Sequence, residues 1–224
     1  METIQPPDFR RCGNDLERRN LTSPVLWLVC GILRHAINLC HKMNLRFKDL
    51  LLVSGSGRNV GKTTFICDVI AGSPFRKMAA IKITPHFHDP SKGLIPIVEN
   101  SNFRIYEETD YISNKDTSRY LKAGAERSFF IQTTDAFLKE SFQLTSVLLD
   151  PDLPFIVESA RLRHILVPEL FLFVQGSDAI EKPLAIEMRQ LADTTVFSDG
   201  EEFSFNPHHV YFHKFWKIDE HDYA

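Results

Sequence analysis

Residues 49–55, DLLLVSG, form an apolar run that never alternates with polar positions and stops at a glycine. A strand open to water on one face alternates apolar with polar residues, so an unbroken run predicts a strand covered on both faces, as in a parallel sheet. GKTTFICDVIAG follows, and it reads as a helix of about ten residues closed by Gly72. MAAIKIT, FRIYEET (103–109), RSFFIQ, PFIVESA and LFLFVQG read as further strands. Helices are expected around DTSRYLKAGA and within TDAFLKESFQLTSVLL. Strands and helices alternate from residue 49 to about 175, which predicts βαβ units with helices on both faces of a mainly parallel sheet. The tail is different. TTVFSDGEEFSF and HHVYFHKFWKI place β-branched and aromatic residues around Asp199-Gly200, so strands joined by turns are expected there, with antiparallel pairing open to them.

The N-terminal 42 residues have no comparable pattern. Three of the four cysteines, Cys12, Cys30 and Cys40, fall there, and the segment leans basic while the rest of the chain leans acidic. Met43 then leads directly into the first predicted strand. Residues 1–42 are therefore read as an N-terminal extension and residues 43–224 as one domain. Two readings of the extension stand side by side: Met43 is an alternative start, or SPVLWLVCGILRHAINLCHKM is an amphipathic helix capped near Ser23. The apolar stretch VLWLVCGIL is interrupted by Arg34 and His35, short of the roughly 20 residues a spanning helix needs. A formal charge of -3 argues against a generally basic nucleic-acid-binding protein. The cysteines make no C-x-x-C pair, which suits inert thiols in a reducing cytoplasm.

Chemistry enters at SGSGRNVGKTT, residues 54–64. A phosphate-binding loop exposes successive backbone N–H groups to phosphate oxygens at the positive end of the following helix. Its Lys meets the terminal phosphates and its Ser or Thr holds Mg²⁺. Gly61, Lys62 and Thr63 match that ending, between a predicted buried strand and a predicted helix, but Ser56 stands where the pattern has its first glycine. Gly57, Arg58, Asn59, Val60, Gly61, Lys62, Thr63 and Thr64 are the expected phosphate cradle, with Thr63 on Mg²⁺. The metal's second partner should be an acid at the end of a neighbouring strand, and Glu158, closing PFIVE, fits that place. Lys62 and Glu158 are the candidate catalytic pair.

Two further constellations are IKITPHFH (81–88) and NKDTSRYLKAGAERSFFI (114–131). Taken with the loop and Glu158, the order Lys62-Thr63, Lys82-Ile83-Thr84-Pro85-His86, Lys115-Asp116-Thr117-Ser118-Arg119, Ala123-Gly124-Ala125, Glu158 resembles the molybdopterin-guanine dinucleotide biosynthesis protein B (MobB) family of P-loop proteins over about residues 48–160. The chain departs from that family at Ser56 and at Ser159, where glycine is usual. The resemblance implies a three-layer α/β P-loop NTPase fold, binding of GTP or ATP with Mg²⁺, and slow hydrolysis or an adapter role beside a cofactor-biosynthesis enzyme in molybdenum cofactor maturation. It marks Lys82, His86, Lys115, Asp116 and Arg119 as substrate or switch residues, and a homodimer as a candidate assembly.

On the residues alone, alternatives stay open. Lys82 could meet phosphates or an anionic second substrate, or simply end a strand in solvent. Asp116 could cap its helix or pair with Arg119. A small-molecule kinase using the same loop, with Lys82, His86 and Arg119 on an anionic acceptor, is the second function class, and a non-catalytic nucleotide-dependent adapter the third. His86 and His88 would share a face if the strand continued, which raises a metal site; Pro85 and Pro90 favour a loop instead. Glu107, Glu108 and Asp110 read as a solvated acidic edge. NKD at 114–116 lacks the spacing of a guanine-reading Asn-Lys-x-Asp.

Overall fold

A computed structural model describes residues 46–73, 77–177 and 182–219. The chain divides into two units between Lys42 and Met43. All the described residues belong to the second unit, and the readings made for residues 1–42 lie outside them. Among the described residues, ten strands form an eight-stranded sheet in the order β3-β4-β5-β2-β6-β1-β7-β8 and a separate pair, β9 and β10. Their ranges are β1 Arg46–Gly55, β2 Ala79–Thr84, β3 Leu94–Glu99, β4 Phe103–Glu108, β5 Arg127–Thr133, β6 Phe155–Glu158, β7 Val167–Gly176, β8 Thr194–Ser198, β9 Val210–Phe212 and β10 Trp216–Ile218. The helices are α1 Lys62–Ala71, α2 Asp116–Ala123, α3 Leu138–Val147 and α4 Pro183–Leu191. Every pairing from β5 across to β8 is parallel.

The unbroken apolar runs are explained by what they touch. Along β1, Leu50 and Leu52 face one core with Phe142 of α3 and Met188 of α4. Leu51 and Val53 face the other, with Phe65, Ile66 and Val69 of α1 and Tyr120 of α2. All four β1 residues are fully buried, so neither face has a place for a polar side chain. The architecture is a three-layer α/β sandwich on a mainly parallel sheet, as expected. On the α1 face the third layer is completed by the β9–β10 hairpin, through Val210, Phe212 and Trp216. The Trp216 indole N–H donates to the Asp49 carbonyl at 2.8 Å and ties the hairpin to the root of β1.

Four features differ from the sequence expectation. β3, LIPIVE, has no counterpart in it; this is an edge strand, antiparallel to β4, which is itself antiparallel to β5. Pro96 cannot donate to a ladder, and an edge with a register shift is where a strand tolerates it. α4 between β7 and β8 has no counterpart either. β8 adds to the main sheet in parallel; past the turn at Asp199-Gly200 the returning chain forms no named strand but meets β8 in the antiparallel bridge of Ser198 with Phe203, where the Ser204 N–H donates to the Phe197 carbonyl. The antiparallel expectation holds for β9 and β10. Gly72 does close α1, but at φ −70, so left-handed freedom is not its reason. A Cβ there would come within 2.8 Å of the His208 ring.

Candidate functional site

The loop from β1 into α1 is shaped by its contacts. Asn59 and Gly61 take left-handed backbone, φ 59 and 92. At Gly61 a Cβ would also lie 3.0 Å from the Phe203 ring and 3.1 Å from Ser198 Oγ. Gly55 has no room for a side chain, with the Val174 carbonyl of β7 2.7 Å from where its Cβ would be. Ser56, the departure from the glycine pattern, is buried: its N–H donates to the Val174 carbonyl and its hydroxyl accepts from the Gly176 N–H, both at 3.0 Å. The serine stitches the start of the loop to β7, a bond glycine has no atom to make. Among the described residues, no protein acceptor is found for the backbone N–H groups of Gly57, Arg58, Asn59, Val60 and Gly61. Lys62 folds back over the loop and donates to the Gly57 carbonyl at 2.5 Å. Burial pushes its ammonium below the usual lysine range, against the pull of Glu158.

Behind the loop the side chains of four elements meet. Register places Glu158 beside Val53 of β1 on one side and Lys82 of β2 on the other. β6 therefore separates Lys82 from the loop strand, and Lys82 reaches the site through Glu158. Its ammonium pairs with Glu158 Oε1 and, at 3.0 Å, with Asp116 Oδ2. Burial alone would lower the Lys82 pKa, but the two carboxylates outweigh it and raise it. The Thr63 hydroxyl lies 2.9 Å from Asp116 Oδ1 and 3.2 Å from Glu158 Oε2. Tyr120, fully buried, donates to the same Glu158 Oε2 at 2.6 Å. Burial, reinforced by Glu158, holds the phenol well above its ordinary range, so it stays a donor.

Helix α2 carries three of these contacts on one face. Asp116, Arg119 and Tyr120 are spaced i, i+3, i+4, so they share a side of the helix. Asp116 does not cap α2 and makes no ion pair with Arg119; the cap position is Lys115, without a side-chain cap bond. Burial pushes the Asp116 carboxyl up, but Lys82 and the Thr63 hydroxyl hold it below the usual aspartate value. Arg119 donates to Thr64 Oγ1 at 2.9 Å. Sequence reasoning missed Tyr120, since an aromatic at that spacing looks like core. The signal was there to use: it lies one turn beyond Asp116.

A cleft of about 950 Å³ opens over the loop, lined also by Lys82, His86, Asp116, Arg119 and Glu158, and by Lys182 and Leu184 at α4. Lys115 is exposed and is not among the lining residues. The His86 and His88 rings are exposed, 6.2 Å apart, beyond the end of β2. Among the described residues, no group of three or more His, Cys, Asp or Glu is placed to hold a metal ion. The oxygen set of Thr63, Asp116 and Glu158 nevertheless suits Mg²⁺, which takes one or two protein carboxylates and draws its remaining ligands from water and phosphate. Ser159, in place of the expected glycine, is buried and its hydroxyl accepts from the N–H groups of Arg161 and Leu162. Glu108, expected in solvent, is buried and accepts from the Thr117 hydroxyl at 2.8 Å. No described helix is long and apolar enough to cross a membrane.

No protein-family model matches the chain. No curated protein matches it either. Among solved structures, LpxK from Aquifex aeolicus, crystallised in complex with ATP, is similar at 16% identity and a TM-score of 0.42, over 80% of this chain and 58% of LpxK. The match thus spans less than two thirds of that protein's length.

Proposed function

We propose that this chain binds a purine nucleoside triphosphate, GTP or ATP, with Mg²⁺, in the cleft over residues 57–64. The observation that carries the reading is the loop itself: five consecutive backbone N–H groups without a protein acceptor, at the opening of α1, under a lysine whose charge is poorly solvated. Such a set suits an anion, and a polyphosphate supplies its oxygens at the required spacing. Gly57, Arg58, Asn59, Val60, Gly61, Lys62, Thr63 and Thr64 form the cradle. Lys62 exchanges the Gly57 carbonyl for the terminal phosphates and neutralises charge that develops there. Thr63 and Glu158 hold the magnesium, with Asp116 beside them, and the ion supplies further neutralisation of the phosphates.

The MobB-like reading rests on the motif order and adds slow hydrolysis or an adapter role beside a cofactor-biosynthesis enzyme. A kinase reading is favoured by a different observation: His86 and Arg119 line the same cleft as the loop, which places an imidazole and a guanidinium where an anionic acceptor would sit. The experiment is a titration with ATP and GTP, each with Mg²⁺, followed by turnover with and without anionic acceptors. Saturable binding with little product supports the adapter, and acceptor-dependent phosphate transfer supports the kinase. Absence of binding by either nucleotide refutes the proposal.

A further inference from the structure

We infer that Tyr120 is a positioning residue for Glu158 and, through it, for the magnesium side of the site; the inference rests on the nucleotide-binding reading above. A hydroxyl has one hydrogen to give and a carboxylate about four lone-pair positions to receive. Thr63 has two carboxylates within reach and can donate to only one of them at a time. If its hydrogen goes to Glu158, the arrangement of lone pairs toward the cleft changes. Tyr120 biases that choice. Its hydroxyl already donates to Glu158 Oε2, the oxygen facing Thr63, and Lys82 occupies Oε1. With one donor already on each Glu158 oxygen, the Thr63 hydrogen goes to Asp116, the nearer acceptor at 2.9 Å against 3.2 Å, and the Thr63 oxygen keeps its lone pairs for a cation.

Tyr120 is suited to hold this setting because it cannot move independently. Its ring is fully buried in the core with Phe65 and Ile66 of α1. One turn earlier on the same helix, Asp116 takes the other end of the Thr63 contact, and Arg119 between them donates to Thr64. One short helix thus sets both carboxylate contacts of Thr63, one directly and one through Tyr120. Outer-shell partners of this kind fix the orientation of metal-binding groups.

The test is Tyr120→Phe, which keeps the buried ring and the Glu158–Lys82 pair, with circular dichroism to confirm that the variant folds. A fluorescent ATP or GTP analogue is titrated at a series of Mg²⁺ concentrations and again in EDTA. The expected result is a rise of about tenfold in the Mg²⁺ concentration giving half-maximal binding, the usual size for loss of an outer-shell partner, with affinity in EDTA unchanged. Replacement of Tyr120 by 3-fluorotyrosine, which retains the donor, is expected to keep the parent's midpoint. An unchanged Mg²⁺ midpoint in Tyr120→Phe overturns the inference, and so does an equal loss with and without Mg²⁺, which marks a purely structural tyrosine. Both outcomes leave the nucleotide reading standing, because the parent still binds. A parent that binds no nucleotide overturns both.

Discussion

The phosphate loop and the cluster behind it lie side by side but are built from different forces. The loop keeps its shape by contact: Gly55 against the Val174 carbonyl, Gly61 against Phe203, Ser56 sewn to β7. Lys62, one of its two charged residues with Arg58, makes a hydrogen bond to the loop backbone. The cluster is held by charge. Lys82, Asp116 and Glu158, with Thr63 and Tyr120, satisfy one another in a region where Glu158 is 3% exposed. A surface shaped by sterics tolerates loss of a charge, whereas removing a charge from a buried ion cluster is costly, because it leaves an opposite charge under-compensated. The loop is therefore free to exchange its contacts for a ligand, and the cluster is the fixed frame that receives it.

Substitutions should separate the two regions. The largest effect is expected at Glu158→Ala, which leaves the Lys82 ammonium with Asp116 alone and takes the acceptor from the Tyr120 hydroxyl; urea unfolding should show a loss of about 3–5 kcal/mol. A loss near zero would mean the cluster is not a unit. Gly61→Ala comes next. It forces an alanine to φ 92 against Phe203, and about 1–3 kcal/mol of stability should disappear in the same assay. Gly57→Ala sharpens the contrast, since the nearest atom to its added Cβ is 3.8 Å away and its φ is not left-handed. Stability should stay within about 0.5 kcal/mol of the parent while nucleotide affinity falls, because the crowding there comes from the ligand; equal affinity would remove Gly57 from the cradle. The smallest effect is in acid. The Asp116 pKa is depressed, so its contribution is present above the unfolded value and is lost as pH falls through the folded value, below 3.8. Asp116→Asn should flatten that part of the stability curve, modestly, since the side chain is 40% exposed.

What could be read in the chain divides along the same line. The parallel interior was legible because both its faces need apolar residues, and runs such as DLLLVSG have no other use. β3 was not, since Ile95 and Ile97 are exposed and Pro96 interrupts the strand pattern. The turn at Asp199-Gly200 has the local signal of a hairpin, but Phe203 and Phe205 continue past it to pack on Phe65, a long-range preference that no local turn signal carries. In the site, Lys62, Thr63 and Glu158 follow from strand–loop–helix spacing. Asp116 offers two local roles, cap or Arg119 partner, and has neither; its partners are 53 residues upstream at Thr63 and on β2 at Lys82. Tyr120 was hidden because an aromatic in an amphipathic helix serves a core equally well, and Lys115 is carried in by its motif neighbours although its side chain is exposed outside the cleft.

The central claim is that the loop at 57–64 is the triphosphate site, and calorimetry on Lys62→Ala tests it most directly. Burial lowers the Lys62 pKa, so this substitution removes a poorly solvated charge and the variant should melt no lower than the parent. Its affinity for Mg²⁺-ATP or Mg²⁺-GTP should nevertheless fall at least about tenfold, or 1.4 kcal/mol. Equal affinity in a folded variant would contradict the account.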